Sequence, residues 1–194
     1  MQAFILLTEI KSGENMFDNV RADVGRYTSG ITGIAKIKAL VLLFFTQEFL
    51  ALLVYRFGKC VQQVKIPLLS FLLRIIYFFL NKIIAEICAG IRLDLNSEIG
   101  KGFMLGHFGG IVITGNIGEN CTVAQQVVIG YKGGFSGGGV PTLGNNVYVG
   151  AGAKILGDVK IGNNVKIGAN AVVVKDIPDG ATAVGVPAVV VRRQ

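Results

Sequence analysis

Aliphatic residues recur at every sixth place from Leu93: Leu93, Ile99, Leu105, Ile111, Ile117, Val123 and Ile129, then Leu143, Val149, Ile155, Ile161, Ile167 and Val173. Four places after each stands a second residue, mostly small or β-branched, among them Ser97, Cys121, Val127, Val147, Ala153, Val165 and Ala171. Glycine follows the leading aliphatic repeatedly, at Gly100, Gly106, Gly118, Gly130, Gly144, Gly150, Gly162 and Gly168. So strict a short repeat predicts a β-solenoid with three flat sides per coil, one hexad per side. The aliphatic points inward, and Gly, Asn or Asp takes the corner geometry. A single coil leaves its inner face open, so stability comes from stacking, and these hexads supply about four coils.

Before the repeat the pattern is helical, from about residue 34 to residue 89. Two apolar stretches, Ala39–Phe57 and Pro67–Cys88, are separated by Gly58-Lys59 and a Gln-Gln-Val-Lys piece, and Pro67 suits a first helical turn. Glu48 breaks the first stretch and Arg74, Lys82 and Glu86 break the second, which argues against a membrane span. Two expectations stay open for these helices. They pack on each other, on the solenoid base or on other subunits; or they dock on an anionic membrane surface, with Lys59, Lys65, Arg74 and Lys82 at their edges. Residues 17–27 read as a short capped helix or turn and 28–33 as a linker. Residues 1–15 read as disordered, Met16 is a candidate natural start, and Phe4–Leu7 is too short for a secretory signal. The expected division is a helical region over 1–91 and a β-helical domain over 92–194.

Composition sharpens this picture. The chain is 52% hydrophobic and 16% charged, with a mean hydropathy of +0.59, so apolar surface is left over for partners or a membrane. The net charge is +7, and most of the excess lies before the repeat. Mild basicity in an apolar half suits anionic lipid better than DNA, and no nucleic-acid-binding motif is present. Cys60, Cys88 and Cys121 are far apart in apolar contexts, which predicts buried free thiols and a reducing, cytoplasmic setting. One histidine and scattered cysteines give no metal-ligand spacing.

Two features carry candidate chemistry. His107 is the chain's only histidine, two places after the inward Leu105, where a side chain lies near the coil surface. An imidazole, with an ordinary pKa of about 6.5, is the simplest general base near neutral pH. Eight residues beyond the hexad interrupt the repeat between Ile129 and Leu143, in Gly130-Tyr-Lys-Gly-Gly-Phe-Ser-Gly-Gly-Gly-Val-Pro-Thr142. A loop so rich in Gly contributes little by packing.

The segments Asn96-Ser-Glu-Ile-Gly-Lys-Gly102, Leu105-Gly-His-Phe-Gly-Gly-Ile-Val-Ile113, Gly150-Ala-Gly-Ala-Lys-Ile-Leu-Gly157 and Ala183-Val-Gly-Val-Pro-Ala188 extend the reading. With them the chain resembles the hexapeptide-repeat acyltransferases, in the serine acetyltransferase group that includes exopolysaccharide (colanic-acid-type) O-acetyltransferases. The resemblance implies a left-handed parallel β-helix, a homotrimer with sites between solenoids, acetyl-CoA as acyl donor and His107 as catalytic base. It places Gly130, Tyr131 and Lys132 at the thioester end, Ala151 and Ala169 along the pantetheine arm, and Lys166 by the nucleotide phosphates. It sets Arg92 and Asp23 near the acceptor.

The chain also departs from that group. Arg92 stands where the group pairs an Asp with its His, and Asp94 is the expected substitute. Gly106 replaces a second Asp. Gly139 and Val140 replace an Arg and a His that hold an amino-acid substrate, and a zwitterion's carboxylate is hard to bind without that cation. The expected acceptor is therefore a sugar hydroxyl of a surface polysaccharide or its precursor. Serine or another small acceptor is the alternative, and a non-catalytic solenoid module a distant third.

Overall fold

A computed structural model describes residues 16–133 and 138–193. The expected disorder of residues 1–15 and the centre of the Gly-rich insertion lie outside the described residues. Four helices come first: α1 Met16–Tyr27, α2 Gly33–Leu43, α3 Gln47–Gln63 and α4 Pro67–Leu80, the last running on as a π-helical segment, Asn81–Cys88. The strands then wind into a prism of three parallel sheets. Face A stacks β1 Ile91–Leu93, β3 Ile111–Ile113, β6 Val128–Gly130, β9 Lys154–Leu156 and β12 Val172–Val173. Face B stacks β4 Asn116–Ile117, β7 Thr142–Leu143 and β10 Lys160–Ile161, extended by single bridges at Ile99 and Ile177. Face C stacks β2 Met104–Leu105, β5 Thr122–Val123, β8 Tyr148–Val149, β11 Lys166–Ile167 and β13 Ala181–Val184, closed by the antiparallel β14 Val189–Arg193.

Every leading aliphatic of the repeat is buried, as is the second set apart from Gly109, so one apolar column fills the prism. Buried columns of this kind are the main stabilising term in a solenoid. At the corner between faces B and C the backbone is left-handed, and Asn120, Asn146 and Asn164 each hold φ at +57° there. Asn tolerates that region better than other side chains. Beside them Asn145 Oδ1 accepts from Glu119 N, Asn163 Oδ1 from Asn145 N and Asp179 Oδ1 from Asn163 N, each at 2.8 Å.

The repeat conceals one change of register. A uniform six-residue step stacks Leu93, Ile111 and Ile129; instead Leu93 pairs with Ile113, and Ile113 with Ile129. Ile111 pairs with Ile91. The corner between Leu105 and Ile113 is thus two residues longer than the corners above it, and the next corner is two shorter. Gly109 and Gly110, at φ of +98° and +68°, make the wider turn, which contains His107.

The helices cap the open lower edge of the prism, where strand groups lack a coil beneath them. Tyr55 donates its hydroxyl to the Ser97 carbonyl at 2.7 Å, and Tyr27 both accepts from Leu105 N and donates to Leu105 O. Arg56 donates to the carbonyls of Ile99 and Gly100. Helix boundaries differ from expectation in two places. Gly58-Lys59 does not break a helix, because Gly58 serves packing: a Cβ there would sit 2.4 Å from Tyr77 Cε2. The first apolar stretch breaks earlier, at residues 44–46, where Thr46 Oγ1 takes up with the Leu43 carbonyl. Cys121 is buried and Cys60 half-buried, but Cys88 is exposed, against expectation; all three are free thiols.

Candidate active site

His107 stands in the widened corner between faces C and A, with its side chain exposed and no hydrogen bond to another described residue. Corners of successive coils stack directly above it. Gly106 N donates to Val123 O, Ala124 N to Val149 O, Gly150 N to Ile167 O and Gly168 N to Ala183 O. His107, Gln125, Ala151 and Ala169 each follow one of these rungs by one residue, so they share an edge of the prism. Ala151 and Ala169 leave that edge open where larger side chains would fill it. Lys166 is exposed on face C, two residues before the Gly168 rung.

The insertion belongs to the other edge of face A. Gly130 ends β6, and its carbonyl accepts from Gly157 N. Tyr131 and Lys132 follow, exposed, and the returning chain passes Asp158 at Gly139. Within one chain the described ends of the insertion and His107 are therefore separated by the width of face A, roughly 10 Å for a three-residue strand. Outward on that face stand Arg92, Val112, Val128, Lys154 and Val172, of which three are valines. Arg92 is exposed and paired in register with Val112.

Two expected site residues are placed elsewhere. Asp94 lies past the end of β1, at the insertion edge, and its Oδ1 accepts from Asn96 N at 2.8 Å. The local Asx turn engages this carboxylate, and within one chain the structure does not bring it to His107. Asp23 is almost wholly buried, held by Arg56 at 3.0 Å and by Phe103 N at 2.8 Å. It has no surface to offer an acceptor; it is a joint between helices and solenoid.

Sequence reading missed Gln125 and Lys154. Gln125 occupies the corner one coil above His107, and counting 18 residues, three hexads, would have found it. Lys154 Nζ donates to the Gln126 carbonyl beside the same edge. Burial pushes the Cys60 and Cys121 thiols up, whereas Cys88 is exposed. Among the described residues no cluster of His, Cys, Asp and Glu could hold a metal ion.

The family pattern described as "Bacterial transferase hexapeptide (six repeats)" matches residues 141–175. A serine acetyltransferase of Synechococcus elongatus is 37% identical over 156 residues, 79% of this chain and 61% of the relative. One of Helicobacter pylori is 40% identical over 122 residues, 60% of this chain and 71% of that protein. This chain thus spans about three fifths of the cyanobacterial relative's length. Among solved structures, a serine acetyltransferase in complex with cysteine superposes with a TM-score of 0.76 at 28% identity, covering 94% of this chain and 72% of the other. Soybean serine acetyltransferase complexed with serine gives 0.75 at 30% identity, covering 91% and 69%. The fold is the left-handed parallel β-helix preceded by helices.

Proposed function

The chain belongs to the serine acetyltransferase family of hexapeptide-repeat transferases, and on that premise we propose that it transfers an acetyl group from acetyl-CoA to a hydroxyl. The observation that carries this is the exposed His107 in a widened corner, at the foot of an edge kept open by Ala151 and Ala169. His107 takes the proton of the acceptor hydroxyl while its oxygen attacks the thioester carbonyl. The C–O bond forms, the C–S bond breaks, and the imidazolium returns the proton to the departing thiolate. In this reading backbone N–H groups near the insertion stabilise the oxyanion. No Ser or Cys stands beside His107 in sequence, and direct attack in a ternary complex is the simpler course. An acetyl-CoA donor fits a cytoplasmic setting.

The working unit in this reading is a homotrimer. Face A separates His107 from the insertion in one chain, and its outward valines favour burial against a neighbour. Packed around a threefold axis, the insertion of one copy then meets His107 of the next.

The names of the relatives support L-serine as the acceptor, ahead of the sugar hydroxyl expected from sequence. A second reading keeps the sugar. Gly139 and Val140 bring no cation to the returning arm of the insertion, so Lys132 and Arg92 are the exposed cations left to meet a carboxylate. The test is thiol release from acetyl-CoA with L-serine and with oligosaccharides, compared between the native chain and His107→Ala. Turnover with serine supports the first acceptor, turnover with glycans alone the second, and no turnover with any hydroxyl overturns the proposal.

A further inference from the structure

Helix α4 and its π-helical continuation, Pro67–Cys88, form one helical run of 22 residues. It is long and apolar enough to cross a membrane by length and composition, which the tally of charges in the sequence had argued against. One stripe of it, marked by Ser70, Leu73, Tyr77, Ile84 and Ala85, is buried or half-buried. Diametrically opposite stand Leu68, Leu72, Ile75, Ile76, Phe79 and Ile83, all exposed, with Leu68 at 81%. The spacing of these residues keeps them on one face. Phe71 and Phe78 widen the exposed apolar surface to about half the circumference, beyond the ~100° stripe that a packed helix presents.

We propose that this face seats the protein on an anionic lipid bilayer, lying in the interface rather than crossing it. A second helix would cover one stripe and leave the flanking phenylalanines in water, whereas acyl chains cover the whole width. Arg74, one turn after the buried Ser70, stands at the border of the packed stripe. Its guanidinium therefore sits at headgroup level when the opposite face is immersed, while a spanning rod would carry it into the hydrocarbon. The charges near the face match an anionic surface. Lys65 and Arg74 are exposed and form no ion pair among the described residues; Lys82 is paired with Glu86 at 2.8 Å. Helix α2 also carries exposed apolar side chains, Ile34, Ile37, Val41 and Leu42. The inference is independent of the acceptor and of the reaction.

The experiment is co-flotation of the full chain with vesicles of phosphatidylcholine, alone or mixed with phosphatidylglycerol. Binding is expected on the mixed vesicles, roughly tenfold or more above phosphatidylcholine alone, and weakened by salt. The double variant Ile76→Glu, Phe79→Glu is expected to lose flotation while its far-ultraviolet dichroism stays native. A conservative reporter covers the case in which that variant misfolds. The chain has no tryptophan, so Phe79→Trp supplies a single indole, expected to shift to the blue on vesicle addition and to be quenched by lipids brominated in the acyl chain. Failure to float with either vesicle, an unmoved indole, or a folded glutamate variant that floats like the native chain would each overturn the proposal. So would halving of the native assembly by the glutamate variant without vesicle binding, since a second copy would then occupy the face.

Discussion

Asp23 and Arg56 meet inside the joint between helices and solenoid, with Arg56 Nε 3.0 Å from Asp23 Oδ2 and both side chains almost wholly screened from water. Phe103 N donates to the same carboxylate, and Arg56 also donates to two carbonyls of the first coil, so the pair fixes the helical cap by side chain and backbone at once. Removing one partner strands a buried charge. Asp23→Ala is expected to cost about 3–5 kcal/mol of stability, read from chemical denaturation followed by circular dichroism. A loss below about 1 kcal/mol, the range of an exposed pair, would assign the pair a minor part.

His107→Ala is expected to lower turnover about 10²–10⁴-fold, the usual worth of a general base, while the β-helix and acetyl-CoA binding persist. Thiol-release kinetics and calorimetry on the same preparation separate the two effects. Near-native turnover would remove His107 from the mechanism.

Ala169 shares its edge with His107 through the stacked corners. Ala169→Phe is expected to raise KM for acetyl-CoA roughly tenfold or more, as a lost or blocked contact of this size does. KM for the acceptor and the melting temperature should hardly move. An unchanged KM for the donor would place the acyl arm on another edge.

The phenols of Tyr27, half-buried, and Tyr55, buried, are hydrogen-bonded to the first coil, and burial pushes both well above the ordinary tyrosine range. The unfolded chain ionises such groups at about pH 10, while the folded chain holds them neutral. The stability tied to them is thus complete below that pH and falls as pH climbs beyond it. Denaturation midpoints measured from pH 8 to 12 should drop on the alkaline side. The drop should be shallower in Tyr55→Phe, which gives up about 1 kcal/mol at neutral pH through the lost hydrogen bond.

Gly58→Ala is expected to destabilise the joint by about 1–3 kcal/mol, because the new methyl meets the Tyr77 ring and the Leu95 side chain. A thermal melt distinguishes this from the reading of Gly58 as a helix break, under which alanine would stabilise.

The prism was legible because its core obeys a one-dimensional rule: each inward position returns after six residues, and all of those aliphatics are buried. The same regularity hid the register change at His107. Ile111, Val112 and Ile113 are all aliphatic, so a uniform step and a widened corner read alike until strand pairing separates them. Gly109-Gly110 was the available signal. The surroundings of Asp94 and Asp23 were hidden for a different reason, since a carboxylate's part depends on which donors surround it: the neighbouring amide of Asn96 for one, and Arg56, 33 residues away, for the other. The apolar stretch Pro67–Cys88 was plain in the sequence. Its exposure was not, because an amphipathic face facing outward has the same spacing as one facing a core.

The corners that carry His107, Gln125, Ala151 and Ala169 rise one coil at a time, so the edge works as a measuring stick graduated in steps of about 4.8 Å. Three steps, roughly 14 Å, separate the imidazole's coil from that of Ala169. Duplicating a single 18-residue coil between them would leave the immediate surroundings of both residues intact and still set the two ends out of step with a donor of fixed reach.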